Sequence, residues 1–268
     1  MSVQKYLRRV ADVDSLLCVG LDADIDRIPE RFKRSDTPQY DFNRWIIDQT
    51  HMHVSAYKPN TAFYEARGAA GWHELALTAR YLHETHPAIF TICDAKRGDI
   101  GNTNRGYARA IFDDLGFDAV TLHPYTGGAA LAPFLERADK TCIILCRTSN
   151  PASDEFQNLQ AGDKPLWQIV AENVRDTWNA HGNCMLVAGA TYPEDLRTIR
   201  RIVGDMVLLV PGIGAQGGDI AAMLDAGLSP DGGGLIVNAG RSVIFADDPA
   251  QAARDTRDTI NRYRAKPD

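Results

Sequence analysis

The densest chemistry in the chain lies in one stretch, Asp94-Ala95-Lys96-Arg97-Gly98-Asp99-Ile100-Gly101-Asn102-Thr103, with a further lysine upstream at Lys58. Two carboxylates and two ammonium groups gathered in one place keep one another charged, because each ion lowers the cost of its opposite. Such an array has a chemical use. An ammonium can stabilise negative charge that develops on a substrate atom, and the same group can then deliver a proton there. For any single pair, a buried salt bridge tying two strands together is the competing explanation.

Two glycine-containing segments suggest a second chemistry. They are Val210-Pro211-Gly212-Ile213-Gly214-Ala215-Gln216-Gly217-Gly218-Asp219 and Asn238-Ala239-Gly240-Arg241-Ser242. Glycines let backbone amides converge on an anion, and a following helix N-terminus adds the positive end of its dipole. Arg241 can add a charged fork, so the expected ligand is a monophosphate. A GxGxxG run also occurs in dinucleotide folds, but no acid is placed here to hold a ribose in that manner.

The elements that must carry these residues follow from the hydropathy pattern. Apolar runs at Leu16–Asp22, Val54–Pro59, Ile89–Asp94, Ala119–His123, Cys142–Arg147, Met185–Gly189, Met206–Pro211 and Leu235–Ala239 read as strands. Helix-period segments follow each of them, near Phe42–Met52, Gly71–His83, Thr103–Leu115, Ala129–Arg137, Leu166–Ala180, Pro193–Arg201, Asp219–Ala226 and Pro249–Tyr263. Strict alternation predicts parallel βαβ units. Eight units in about 250 residues match a closed (β/α)8 TIM barrel, with a doubly wound open sheet as the alternative. No linker or repeat divides residues 1–268, so one domain is expected.

Charge collects at the C-terminal ends of these strands, at Asp22, Lys58, Asp94 and Lys96. In a parallel barrel those ends share one mouth, where sites are built. Asp94 and Lys96 are two apart and project to the same side of their strand. Asp99 lies past the strand end and can point elsewhere, and His123 ends the fourth strand. The connections from Ala23 to Tyr40 and from Thr148 to Pro165 are too long for simple turns. The second is Ser/Asn/Gly/Pro-rich, as a mobile cover or a surface insertion would be.

Composition narrows the partners. The chain has 268 residues, with 29 Lys+Arg against 35 Asp+Glu and a formal net charge of −6, which argues against nucleic acid or an anionic membrane as the main partner. No stretch is long and apolar enough for a membrane helix, and the N-terminus lacks the apolar run of a secretion signal. Cys18, Cys93, Cys142, Cys146 and Cys184 sit in apolar runs and are expected to be buried reduced thiols of a cytoplasmic protein. No cysteine or histidine spacing suggests a metal. Trp45, Trp72, Trp167 and Trp178 are expected to be packing groups.

Taken together, Asp-x-Lys-x-x-Asp-Ile-Gly-Asn-Thr after the third strand, Lys58 after the second, PGIGAQGG after the seventh and GRS after the eighth resemble the orotidine 5′-monophosphate decarboxylases. The YKPN, DAKRGDIGNT and HPYTG wording is similar to the bacterial branch called type 2. The resemblance runs from Asp22 to Ser242. It implies a (β/α)8 barrel that is a homodimer and converts orotidine 5′-monophosphate to uridine 5′-monophosphate and carbon dioxide with no cofactor and no metal.

Carried over by motif, Lys58, Asp94, Lys96 and Asp99 form the catalytic charged set. Lys96 is implied as the acid that protonates C6, and Asp94 as the neighbour of the departing carboxylate. Asp99, Ile100 and Thr103 are implied to serve the neighbouring subunit's site. Asp22 matches a ribose ligand, and Ser149 a contact to the pyrimidine edge. Pro211, Gln216, Gly240 and Arg241 match the rest of the substrate grip, the last three at the phosphate. Asp24 and Asp26 match no role in the family. A magnesium-dependent sugar-phosphate lyase shares DxKxxD but carries an acid after the second strand, where this chain has Lys58-Pro59-Asn60. A catalytically silent phosphate-binding barrel is the third reading.

Overall fold

The computed structural model describes residues 2–211 and 220–264. Eight strands, β1 (Leu17–Gly20), β2 (Ala56–Lys58), β3 (Phe90–Arg97), β4 (Ala119–Leu122), β5 (Thr141–Arg147), β6 (Cys184–Ala188), β7 (Leu208–Pro211) and β8 (Leu235–Ala239), run parallel and close on themselves. Closure is made by β1 against β8, with Leu17 beside Val237 and Cys18 beside Asn238. That pairing excludes the open sheet and makes the fold a (β/α)8 TIM barrel.

Alternation along the strands sorts two layers of core. Cys18, Ala56, Ile92, Ile143, Met185, Leu209 and Ile236 fill the lumen. Leu17, Val19, Cys93, Ile144, Leu186 and Val237 face outward and pack under the helices. The outer helices start where the sequence supplies a start. Pro193–Val203 has proline at its first turn with Glu194 and Asp195, and Arg200 and Arg201 in its last, each charge suited to the dipole end it occupies. All five cysteines are buried and free, and burial pushes the thiols of Cys18 and Cys184 up to about 12.

Several features depart from the sequence reading. A helix over Ser2–Val13 precedes β1 where none is expected. It lies across the N-terminal end of the barrel, where Tyr6, only 1% exposed, joins the lumen cluster. Its ring meets Phe90 at 5.5 Å and its hydroxyl donates to the carbonyl of Leu235. The long connection after β1 holds the helix Glu30–Lys33 and the start of Pro38–Thr50. The connection after β5 holds the helix Asp154–Gln157 and a two-residue hairpin, Gln160–Ala161 against Lys164–Pro165. Trp72 is exposed on its helix rather than packed, whereas Trp167 is buried. Among the described residues no helix is long and apolar enough to cross a membrane.

The Tyr6 contact yields a stability prediction. Tyr6→Phe leaves the Leu235 carbonyl without its donor and is expected to cost about 1–3 kcal/mol. Tyr6→Ala also opens a cavity in the lumen and is expected to cost about 3–5 kcal/mol. Urea denaturation of the two variants beside the parent chain checks both values.

Candidate active site

β2 and β3 run side by side to the C-terminal mouth, where Asp94 of β3 meets the segment just after Lys58. The Asp94 amide donates to Pro59 O at 3.0 Å, which pins the end of β3 to the residue after Lys58. The Asp94 carboxylate then receives both lysines. Lys58 Nζ lies 2.8 Å from Oδ2, and Lys96 Nζ lies 2.8 Å from Oδ1. Lys58 is 4% exposed and Asp94 8%, while the Lys96 side chain is 43% exposed. One ammonium is therefore sealed in the wall, and the other reaches into the open mouth.

Burial works against the Asp94 carboxylate, but Lys58 and Lys96 together outweigh it and hold the group well below the usual carboxylate range. Burial likewise opposes the Lys58 ammonium, and the charges of Asp94 and Asp22 more than restore it, holding it above the ordinary lysine range.

The backbone at Lys96 is unusual. Its φ is 47°, left-handed, a conformation that costs a residue with a side chain about 1–2 kcal/mol. The pairing of β3 with β4 shifts register between Cys93 and Arg97, so the strand bulges at the residue that carries the exposed ammonium. Thr121 on β4 bridges the bulge. Its hydroxyl donates to Asp94 Oδ1 at 2.8 Å and accepts the Lys96 amide at 2.9 Å.

Beside this cluster, where β1 pairs with β2 and Gly20 stands next to Lys58, β1 and β8 bring a second set together. A Cβ at Gly20 would stand 3.3 Å from Gly240 Cα, a tight fit, so the end of β1 and the residue after β8 approach closely with glycine at position 20. Asp22 Oδ2 lies beside both glycines. Asp22 Oδ1 and Asn238 Oδ1 are buried and accept no hydrogen bond from the described residues. Buried acceptors call for donors, and a pair of hydroxyl groups on a ligand would supply them. Arg241 is exposed at the start of the short helix Arg241–Ile244, next to Gly240.

The connection after β5 is folded rather than loose. Arg147, 2% exposed, stacks its guanidinium 3.9 Å above the Tyr192 ring. It donates to Asp195 at 2.8 Å, Asp154 at 2.7 Å and Ser153 at 2.7 Å. Gln157 closes the turn by accepting from the Thr148 amide at 2.9 Å. A Cβ at Gly189 would stand 2.9 Å from Ser149 N, so glycine follows β6 where this segment crosses it. The mouth is a cavity of about 970 Å³ with Lys58, Asp94 and Lys96 on its floor. Leu145, Val187 and Leu209 form an apolar flank, and Ser149, Phe156, His123 and Pro211 also line it.

Not every residue singled out in the sequence joins this site. Asp99, Ile100 and Thr103 are exposed on the outer rim, and Ile100 is 63% exposed. Asp99 Oδ1 accepts the Ile100 amide at 2.7 Å, so within one chain the second anion near Lys58 is Asp22 rather than Asp99. Gln216 and the rest of 212–219 lie outside the described residues. Asp24 accepts the Asp26 amide and shapes the turn after β1. Thr121 and Arg147 escape sequence reasoning. A threonine inside a strand reads as a β-former, and only an arginine closing the apolar run TCIILCR could have hinted at a buried anchor. Among the described residues no three His, Cys, Asp or Glu side chains are grouped to hold a metal ion.

Comparison with known proteins places this geometry. Residues 15–256 match the model of the orotidine 5′-phosphate decarboxylase / HUMPS family. The orotidine 5′-phosphate decarboxylase of Herpetosiphon aurantiacus is 48% identical over 98% of this chain and 96% of its own length. That of Roseiflexus castenholzii is 49% identical over 92% of each. Among solved structures, the OMP decarboxylase of Leishmania donovani superposes with a TM-score of 0.90 at 38% identity, covering 99% of both chains.

The charge cluster makes a prediction about stability and pH. Asp94→Asn leaves Lys58 buried without its anion and is expected to cost about 3–5 kcal/mol at pH 7 by urea denaturation. Lys96→Ala, whose ammonium is half in water, should cost under about 1 kcal/mol. Because the native Asp94 carboxyl is depressed, its contribution is present above the ordinary carboxylate range near pH 4 and is lost as pH falls below it. The parent chain should therefore lose more stability between about pH 4 and pH 2 than Asp94→Asn does.

Proposed function

The chain belongs to the orotidine 5′-phosphate decarboxylase / HUMPS family, and from that membership we infer that it converts orotidine 5′-monophosphate to uridine 5′-monophosphate and carbon dioxide in pyrimidine biosynthesis. The observation that carries the reading is the half-exposed Lys96 ammonium, held on the cavity floor by a carboxylate that a second, buried lysine keeps charged.

The chemistry follows from that arrangement. Breaking the bond between C6 and the carboxylate releases carbon dioxide and leaves an electron pair on C6, in a ring that offers it no electron sink. Lys96 is positioned to stabilise the pair and to donate the proton that forms the new C–H bond. The lysine is left neutral and regains a proton from water. Asp94 stands beside the departing carboxylate, and its own charge is secured by Lys58. Asp22, with its unpaired acceptor, suits the ribose hydroxyl groups. Gly240, Arg241 and Gln216 hold the phosphate, Pro211 lines the site, and Ser149 meets the pyrimidine edge. Phosphate binding at a distance can supply the energy that closes the site over the base. No cofactor or metal takes part.

We further propose that residues 1–268 form one barrel domain acting in the cytoplasm as a homodimer. Tyr125 is 89% exposed and Ile100 63%, both at the rim beside Asp99, which suits a face covered by a second copy. Asp99, Ile100 and Thr103 then complete the neighbouring subunit's site.

Ultraviolet-monitored turnover of orotidine 5′-monophosphate, with and without EDTA, tests the activity. Loss of substrate indifferent to chelator is expected. Activity that disappears with EDTA would move the chain to the magnesium-dependent sugar-phosphate lyases. Lys96→Ala should abolish turnover while retaining uridine 5′-monophosphate binding. Arg241→Ala should chiefly raise KM, by roughly 10- to 150-fold, the equivalent of about 1.5–3 kcal/mol. For the dimer, Lys96→Ala and Asp99→Asn are each expected to be inactive, and refolding them together should restore about a quarter of parental activity, because half of the random dimers carry one intact site.

A further inference from the structure

We infer that Thr121 is a positioning residue for the decarboxylation, acting through both members of the Asp94–Lys96 pair; the inference rests on the function proposed above. Thr121 touches no substrate atom in this account. Its hydroxyl ties the side chain of Asp94 to the backbone of Lys96 from the neighbouring strand β4.

Three observations carry this. First, Lys96 holds a left-handed φ of 47° at a bulge in β3, and a residue with a side chain stays there only when its surroundings fix it. The Lys96 amide donates to Thr121 Oγ1 at 2.9 Å, which is such a fixture. Second, the Thr121 hydroxyl has a single proton, and that proton goes to Asp94 Oδ1 at 2.8 Å. Donation to the carboxylate leaves the hydroxyl oxygen free to accept from the amide, so the two bonds are compatible and polarise one another in the same sense. Third, Thr121 is 1% exposed, so water does not compete for either bond.

The consequence concerns the moment of proton transfer. Asp94 Oδ1 accepts from both Lys96 Nζ and Thr121, while Oδ2 accepts from Lys58. When the Lys96 ammonium turns toward C6 and gives up its proton, Oδ1 loses that partner. Thr121 keeps the oxygen hydrogen-bonded, and the carboxylate stays oriented through the step. The same hydroxyl keeps the Lys96 backbone from relaxing out of the conformation that aims its side chain at the cavity. Thr121 is thus expected to act on the chemical step and to leave ground-state binding nearly untouched.

The test compares Thr121→Val, which removes the hydroxyl at nearly constant shape, with Thr121→Ser, which keeps it. Steady-state turnover of orotidine 5′-monophosphate and equilibrium binding of uridine 5′-monophosphate are measured for both variants and for the parent chain. The expected result is a fall in kcat of at least about tenfold for Thr121→Val, with the dissociation constant for uridine 5′-monophosphate within about threefold of the parent. Thr121→Ser should recover kcat to within about threefold. A kcat for Thr121→Val within twofold of the parent overturns the inference. So does a serine variant as impaired as the valine one, or a loss of product binding that matches the loss of kcat, since either would mark a packing role alone. A parent chain that leaves the substrate unchanged overturns the functional reading itself.

Discussion

Everything at the mouth of this barrel depends on one carboxylate that holds two ammonium groups. Asp94 is buried, and a buried anion survives only if cations and donors replace the water it has lost. Lys58 meets one of its oxygens, and Lys96 with Thr121 meets the other. That requirement places β2, β3 and β4 side by side with their ends level, because each strand contributes a partner to the same group. Beneath the cluster, Cys18, Ala56, Ile92 and Ile143 fill the lumen with apolar side chains.

The neighbouring stretch of the mouth is built on a different principle. There β1 and β8 approach through two glycines, and Asp22 and Asn238 turn buried oxygens toward the space between them without a donor from the described chain. The first side is saturated and rigid, and the second is under-satisfied and receptive. A ligand that is anionic at one end, hydroxylated in its middle and planar at the other end matches that division.

Much of this was readable in the residues alone. The alternation of apolar runs and amphipathic segments identified all eight barrel strands, and charge at their ends located the mouth. Lys58, Asp94 and Lys96 came together as their spacing required. What was not readable has a physical reason in each case. The helix Ser2–Val13 precedes the first strand, so no alternation announces it, and its role appears only once Tyr6 meets the floor of the lumen. The left-handed backbone of Lys96 leaves no mark in residue type, because nothing but tertiary contact holds a lysine there. Arg147 looks like the polar end of a strand, and its anchoring partners Asp154 and Asp195 are far from obvious in the order of the chain. Asp99 was legible as a member of the motif that lies past the strand end and can point elsewhere, and it stands exposed at the rim.

The N-terminal helix has a consequence for traffic. With Tyr6 lodged against Phe90 and Leu235, the barrel is a blind-ended vessel rather than a conduit. Substrate, carbon dioxide and product must all use the same doorway. Entry and exit therefore take turns at a doorway framed in part by the segment that Arg147 fastens in place.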